Sequence, residues 1–455
     1  MILTAALLTL SAISLSTQVE DFVSNNPEQI HLSYSGDVSS MLVTWLSLNP
    51  QGVGYVFFRR AGTSEYHKVD ATKSDFVQEE GSLKRTSYVF RAKMEGLKSN
   101  TNYEYYVQTG PGISETFQFR TFDSGSDFRP TVALFGDLGT YYNISVPKLT
   151  KLANRGEIDL VIQAGDMAYD LNHDLGKMGD KYMNLIQPIA SRVPYNFAAG
   201  NHEKYNNFSQ FRGRFSSPGP NVFYNSFNVG PVHFVILTTE FYMFDEFGTG
   251  QIQAQYNWLK NDLEVANLPE NREQQPWIIV MGHRPMYCTN VNDRDCRTNN
   301  PVRIGYKQAY FKLEELYLAN RVDFVITGHK HDFERTYPMS NFTFEPHQNS
   351  NEFRNPRYPV HIISGSAGKI ELADFMIPKP DWSAASLKKN VFTLLSVKEK
   401  NFLEFLTVAS EGDEVLDKFV VIKDYSSSSS RVCVDILPRA VSILIPILLI
   451  GLDDF

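Results

Sequence analysis

Residues 160–169 read LVIQAGDMAY. The short apolar run LVIQA, stopped by Gly165-Asp166, reads as a buried strand that ends in a tight turn. The same design recurs on either side of it, in TVALF (131–135), YNFAA (195–199), HFVIL (233–237), WIIVM (277–281), DFVIT (323–327) and VHIIS (360–364). Longer segments of helical pattern separate these runs, which is the signature of a layered α/β domain. Five of the seven runs continue with glycine and then a potential metal ligand: Gly136-Asp137, Gly165-Asp166, Gly200-Asn201, Gly282-His283 and Gly328-His329. In an open sheet the carboxyl ends of the strands face one crevice, so side chains spread over about two hundred residues can converge there. Glycine suits such a position because backbones must pass closely.

Before this domain, from Pro27 to about Phe122, the pattern changes to short alternating runs with turn residues between them: QIHLSYSG, MLVTWLSL, GYVFFRRAG, TSYVFRAKM, TNYEYYVQTG and ETFQFRTF. Runs at that spacing predict an antiparallel sandwich. Trp45 and the pair Tyr103 and Tyr105 resemble the packing residues of a fibronectin type III module. The polar stretch DSGSDFRP, residues 123–130, is a linker, and the larger domain runs from 131 to 425. It is closed by the returning strands NVFTLLSVK, NFLEFLTVAS and DKFVVIKD. Two domains also agree with a length of 455 residues, more than one core usually serves. The net charge of −8 and the scattered basic residues supply no stripe for a phosphate backbone, which argues against nucleic acid as a partner.

The first sixteen residues, MILTAALLTLSAISLS, form an apolar run with small residues near its end and read as a signal peptide. Sequons at Asn143, Asn207 and Asn341 agree with export and glycosylation. In an oxidising compartment Cys288 and Cys296, eight apart in one Asp/Asn-rich loop, are a candidate disulfide, and Cys433 is left over. The serine run 426–430, a spacer and the apolar residues 440–452 have the three parts of a glycolipid-anchor signal, whose cleavage would discard Cys433. A simple secreted tail is the alternative. The expected location is therefore extracellular or on the cell surface, with the lysosome as a third destination, and membrane contact is expected only through the lipid anchor.

The candidate metal ligands are Asp137, Asp166, Tyr169, Asn201, His283, His329 and His331. Carboxylates and a phenolate favour a hard trivalent ion, whereas imidazoles and an amide carbonyl suit a borderline divalent one, so the mixture asks for two different metals. His329 and His331, two apart on an expected extended segment, point the same way and can serve adjacent metals. Tyr169 returns to the centre of Asp166 if the intervening turn is tight. His173, His233, His347 and His361 fit no block and read as structural, and Glu203 reads as a supporting carboxylate.

The ordered blocks GDLG (136–139), GDMAY (165–169), GNHE (200–203), MGHRPMY (281–287) and GHKH (328–331) resemble the metallophosphoesterase superfamily, and within it the purple acid phosphatases of the long animal form. The resemblance runs from about Pro27 to Lys423. It implies an α+β chain in which a fibronectin III-like sandwich precedes a metallophosphoesterase domain of layered sheets and flanking helices. It further implies that Asp137, Tyr169 and His331 hold Fe(III), that Asn201, His283 and His329 hold zinc, iron or manganese as M(II), and that Asp166 bridges them. Two carboxylates and a phenolate set against such a pair, with one bridging hydroxide, leave a charge of about +1 that attracts a phosphate monoester. Asp166 is thereby drawn into catalysis, and attack by a metal-activated hydroxide is the implied acid phosphatase chemistry. His202 and Arg284, with Asn201, are the candidate phosphate contacts. The family often places histidines in the loop after MGHRPMY, but residues 288–310 contain none, which leaves His202 as the candidate proton donor. Three readings compete: this one, another dinuclear phosphoesterase such as a phosphodiesterase or protein phosphatase, and an inactive surface binding module. Protein phosphatases carry GD-x-x-D-R-G at the second block, so Tyr169 is the discriminator. Neither the physiological ester nor the oligomeric state can be read from the sequence.

Overall fold

The structure, a computed structural model, describes residues 26–125, 127–219, 221–290, 296, 299–307, 309–345, 351–368 and 375–424. The expectations for the leader 1–16, for His347, for Cys433 and for the tail 426–455 lie outside the described residues.

The strands Gly54–Arg60 and Asn102–Thr109 alternate buried with partly exposed residues, whereas Glu28–Tyr34 and Met41–Ser47 are buried almost throughout, and the apolar set closes into one core around Trp45, Phe90 and Tyr105. Trp45 stacks on Phe90, and its indole N–H donates to Thr109 Oγ1 at 2.8 Å, so the buried ring keeps no orphan donor. One sheet takes the strands Glu28–Tyr34, Met41–Ser47, Leu83–Met94 and Thr72–Glu80 in that spatial order. The other is built on Gly54–Arg60 and Asn102–Thr109. The strands His67–Asp70 and Thr72–Glu80 are additions to the predicted set. They carry almost no apolar alternation, and in the second only Phe76 and Gln78 are buried.

The large domain is two seven-stranded mixed sheets packed face to face. In the first, Tyr195–Ala198, Leu160–Ala164 and Thr131–Phe135 run parallel, and Val391–Glu399, Phe402–Ala409 and Val415–Ile422 continue it antiparallel. In the second, Val232–Ile236, Trp277–Met281, Phe324–Thr327 and Val360–Ser364 run parallel. Alternate strand residues, such as Leu134, Ile162, Ile279 and Ile326, fill the space between the sheets. Their neighbours Ala133, Val161, Ile278 and Val325 pack outward under helices. Burial on both faces is why these strands read as continuous apolar runs.

The sandwich docks on the helix Lys177–Ala190 and on residues 213–216 through polar groups. Tyr105 Oη donates to Ser191 O at 2.8 Å, Ile30 N to Gln187 Oε1 at 2.8 Å, and Arg91 Nη2 to Gly213 O at 2.6 Å. Tyr105 therefore packs the sandwich core with its ring and anchors the domain interface with its hydroxyl.

Candidate metal centre

Five strand ends open on one crevice between the two sheets and bring seven candidate donors to it. From the first sheet, Thr131–Phe135 delivers Asp137, Leu160–Ala164 delivers Asp166 and Tyr169, and Tyr195–Ala198 delivers Asn201. From the second, Trp277–Met281 delivers His283, and Phe324–Thr327 delivers His329 and His331. Every oxygen donor thus comes from one sheet and every imidazole from the other.

The chain makes these turns at a cost. Asp137, Asp166, Tyr169 and His329 have φ of 62°, 52°, 49° and 70°. Left-handed backbone at a non-glycine residue stores about 1–3 kcal/mol and persists only where the surroundings fix it. Two glycines show how tight the crevice is. A Cβ on Gly200 would lie 2.4 Å from Asp166 Oδ1, and one on Gly328 2.3 Å from Asp137 Oδ2. His329 and His331 do not lie on an extended segment: Gly328 and His329 form a tight bend closed by Lys330 N to Gly328 O at 2.8 Å. The bend is set by His329 N, which donates to Asp137 Oδ2 at 2.7 Å across the two sheets.

The seven donors fall into two groups that share one residue. Tyr169 Oη is 2.8 Å from His331 Nε2 and 3.3 Å from Asp137 Oδ1, and His331 Nε2 is 3.4 Å from the same carboxylate oxygen. On the other side His283 Nε2 is 3.1 Å from Asn201 Oδ1, 3.2 Å from Asp166 Oδ1 and 3.2 Å from His329 Nδ1. Asp137, Asp166 and His331 offer ligand atoms within 4.8 Å of one another, and so do Asp166, His283 and His329. Asp137 and Asp166 are 0% and 2% exposed, and among the described residues their ion-pair partners are histidines alone. Two buried carboxylates without a lysine or arginine are what cation ligands look like. The electrostatics agree. Burial alone would lower the His283 imidazole, but Asp166, then Asp137 and Glu240, carry it up to about 10. The cluster therefore demands positive charge, and the residues fit a dinuclear metal site.

A further layer aims the donors. Glu203, 1% exposed, accepts from Gly200 N at 2.8 Å and from Asp166 N and Met167 N at 2.9 Å, so it clamps two strand ends together. Burial and the Asp166 charge push its carboxyl up to about 8 against the pull of these amides. His283 Nδ1 donates to Ala164 O at 2.7 Å, which turns the lone pair of Nε2 toward the crevice. Arg284 is buried, its Nε donates to both Glu240 oxygens at 3.1 and 2.9 Å, and its Nη1 lies 3.1 Å from His329 Nε2. Its guanidinium stands behind His329. His202 Nδ1 is 2.7 Å from Asp170 Oδ1, and its Nε2 is 3.8 Å from Asp166 Oδ2. Burial lowers the His202 pKa, but the Asp170 hydrogen bond and the Asp166, Asp170 and Glu203 charges raise it above the ordinary value.

Sequence reading missed Asp170 and Glu240; His173, read as structural, has its Nε2 3.4 Å from Asp170 Oδ2. The available signal was positional. Asp170 follows GDMAY directly, and Glu240 lies just past HFVIL, a strand end that lacks the glycine of the other five. Cys288 and Cys296 are joined in a disulfide beside the second sheet. Of the sequons, Asn207 and Asn341 are exposed and Asn143 is half-buried.

Three family models match in succession: "Purple acid Phosphatase, N-terminal domain" over residues 27–121, "Calcineurin-like phosphoesterase" over 130–333, and "Iron/zinc purple acid phosphatase-like protein C" over 358–418. An acid phosphatase type 7 from Danio rerio is 39% identical over 410 residues, covering 88% of this chain and 92% of the relative. The chain belongs to the purple acid phosphatase family. A more distant member from Arabidopsis thaliana, named Fe(3+)-Zn(2+) purple acid phosphatase 12, is 25% identical over 402 residues, covering 84% of this chain and 81% of its own. The fold agrees with that of a purple acid phosphatase from yellow lupin seeds, with a TM-score of 0.74 at 23% identity over 88% of this chain and 75% of the other.

Proposed function

We propose that this purple acid phosphatase hydrolyses phosphate monoesters at a dinuclear centre of Fe(III) and a divalent ion, zinc, iron or manganese. The observation that carries the reading is the division of seven donors into two groups with Asp166 in both and a phenol in only one. Asp137, Tyr169 and His331 would hold the ferric ion, Asn201, His283 and His329 the divalent one, with Asp166 between them. When bound, such a pair clamps phosphoryl oxygens and supplies an ionised water below neutral pH for in-line displacement.

The chain's own work is orientation and proton transfer. Asp170 holds His202 Nδ1, so Nε2 faces the crevice and can give its proton to the departing oxygen. General acid help of this kind is worth about 10²- to 10⁴-fold where the leaving group is poor. His202→Ala should therefore cripple alkyl phosphates and spare p-nitrophenyl phosphate, and equal losses on both would reduce His202 to a phosphate contact. Arg284, read from the sequence as a phosphate ligand, is better placed to steady His329 from behind through its Glu240 pair.

Tyr169 decides between this reading and a centre of two divalent ions. A phenolate on Fe(III) gives a broad visible band, and Tyr169→Phe deletes the oxygen while keeping the ring packed. Iron-loaded native protein should be violet to pink and the variant colourless. A colourless native protein, or a variant that keeps the band, returns the site to a phosphodiesterase or protein phosphatase type of metal pair. The joined Cys288 and Cys296 and the exposed sequons at Asn207 and Asn341 support a secretory route to the exterior, the cell surface or the lysosome. A mobility shift on enzymatic removal of N-glycans, and release from cells by a phosphatidylinositol-specific phospholipase, test the glycans and the lipid anchor separately.

A further inference from the structure

We propose that the N-terminal sandwich is a working part of the active site: its Arg85 and Gln78 hold the loop 170–176 in the conformation that aims Asp170 at His202. The inference rests on the reading of His202 as proton donor.

The loop is strained where the sandwich touches it. Asp174, Leu175 and Gly176 are left-handed in succession, with φ of 51°, 51° and 78°. Two non-glycine residues in that state are strained, and something must hold them there. Two arginines do so at the carbonyls. Arg85 Nη1, from the sandwich, donates to Leu175 O at 3.3 Å, and Arg214 Nη2 donates to Gly176 O at 2.8 Å. Both converge on Asp180, where Arg85 Nη2 and Arg214 Nη1 bind the carboxylate and Gln29 Nε2, also from the sandwich, donates at 3.0 Å. Gln78 fills the space over Gly176, so that a Cβ there would meet its Cδ at 2.9 Å. The strand Thr72–Glu80 is otherwise exposed, and its buried pair, Phe76 and Gln78, reaches Gly213 and Gly176 of the large domain.

Displacement at 175–180 has a direct route to the site. Gly176 N donates to Asn172 O at 3.0 Å, Met178 N to His173 O at 3.2 Å and Gly179 N to Leu171 O at 3.1 Å, which ties the helix start to the loop. At the head of that loop Asp170 holds His202 at 2.7 Å and His173 at 3.4 Å. Arg85 and Gln78 are thus positioning residues that touch neither substrate nor metal.

The test uses the full-length, metal-loaded protein with Arg85→Met, which keeps the stem and removes the donors. Arg85→Lys is the milder companion: it keeps the charge for Asp180 but lacks the forked donor that reaches Leu175 O. The expected result for Arg85→Met is a loss of at least about tenfold in kcat on glycerol 2-phosphate with a change under about twofold on p-nitrophenyl phosphate, since only the proton-donor contribution is touched. Backbone hydrogen exchange at residues 172–179 should quicken, and Arg85→Met should add nothing to His202→Ala on the alkyl ester. Equal losses on both esters, full additivity with His202→Ala, or unchanged exchange at 172–179 would overturn the proposal. If His202→Ala itself shows no preference for the poor leaving group, the His202 reading fails, and hydrogen exchange alone then judges whether Arg85 holds the loop. Should Arg85→Met not fold, Arg85→Lys with unchanged exchange and an unchanged kcat ratio would overturn it instead.

Discussion

The two sheets of the large domain aim their ligands by different means. The first sheet supplies oxygens and directs them with backbone: Asp137, Asp166 and Tyr169 sit in left-handed turns, and Glu203 pins the strand ends by three amides. The second supplies imidazoles and directs them mostly with side-chain and carbonyl partners, Ala164 O behind His283 and the Arg284–Glu240 pair behind His329. The difference is chemical in origin. A short carboxylate has few rotamers and takes its aim from its own backbone, whereas an imidazole has a second nitrogen by which its ring can be turned. The oxygen side should therefore be intolerant of backbone crowding, and the imidazole side of losing a partner in the second layer.

The largest contrast is expected from one added methyl group on each sheet. Gly200→Ala places Cβ 2.4 Å from Asp166 Oδ1 and 2.7 Å from Asp166 N, whereas Gly282→Ala meets Thr239 Cγ2 at 2.9 Å, a methyl group and not an atom of a candidate ligand. The first should lower kcat/KM by at least about 10²-fold with loss of bound metal, while the second stays within about tenfold. Metal content by elemental analysis beside turnover checks this, and equal losses would break the contrast.

A smaller effect should come from the supporting carboxylates. Glu203→Gln and Glu240→Gln should each cost about 10- to 100-fold in metal affinity or activity. The first should weaken retention of both ions, because Glu203 carries the turn of the shared Asp166, and the second should weaken the divalent ion alone. Chelator titration followed by two-metal analysis separates them, and a Glu240→Gln protein that loses iron first would reverse the assignment.

Against acid, by contrast, the two sides should behave alike. His31 packs edge-on to Phe197 of the first sheet, and His361 lies within Val360–Ser364 of the second. Burial holds both imidazoles down at about 4 in the folded chain. The unfolded chain then binds more protons between about pH 6.5 and 4, so stability falls as pH drops through that window, by about 3 kcal/mol for each histidine. Thermal unfolding against pH should show this slope. His31→Asn and His361→Asn should each flatten it by about one proton, and a slope unchanged in both variants would place the acid-sensitive groups elsewhere.

The parts of this molecule that were legible in the sequence are those in which a local pattern repeats. Seven buried strands announced themselves as apolar runs, and five of their ends announced the crevice, because Gly followed by a ligand is a local signature of a global convergence. Glu240 broke that signature and stayed hidden, although its strand end opens on the same crevice. The strand Thr72–Glu80 was invisible for a related reason: its two buried residues, Phe76 and Gln78, also meet Gly213 and Gly176 of the large domain, about a hundred residues or more away in the chain. Composition reports what a segment buries against itself and its near neighbours, and is silent on surfaces that a remote element covers.

The division of donors between the sheets also bears on how the protein matures. His329 and Asp137, which meet at the heart of the crevice, are 192 residues apart, so neither ion finds its set until the second sheet has closed on the first. Contacts of such separation form slowly and late in folding. Cation capture is then coupled to the last act of assembly and adds its binding free energy to the finished chain alone. A half-folded molecule whose two sheets have not met holds the oxygens and the imidazoles apart. In a cell, retained metal would mark the molecules that have completed their fold, and chains stalled before sheet closure would be the ones left to proteolysis.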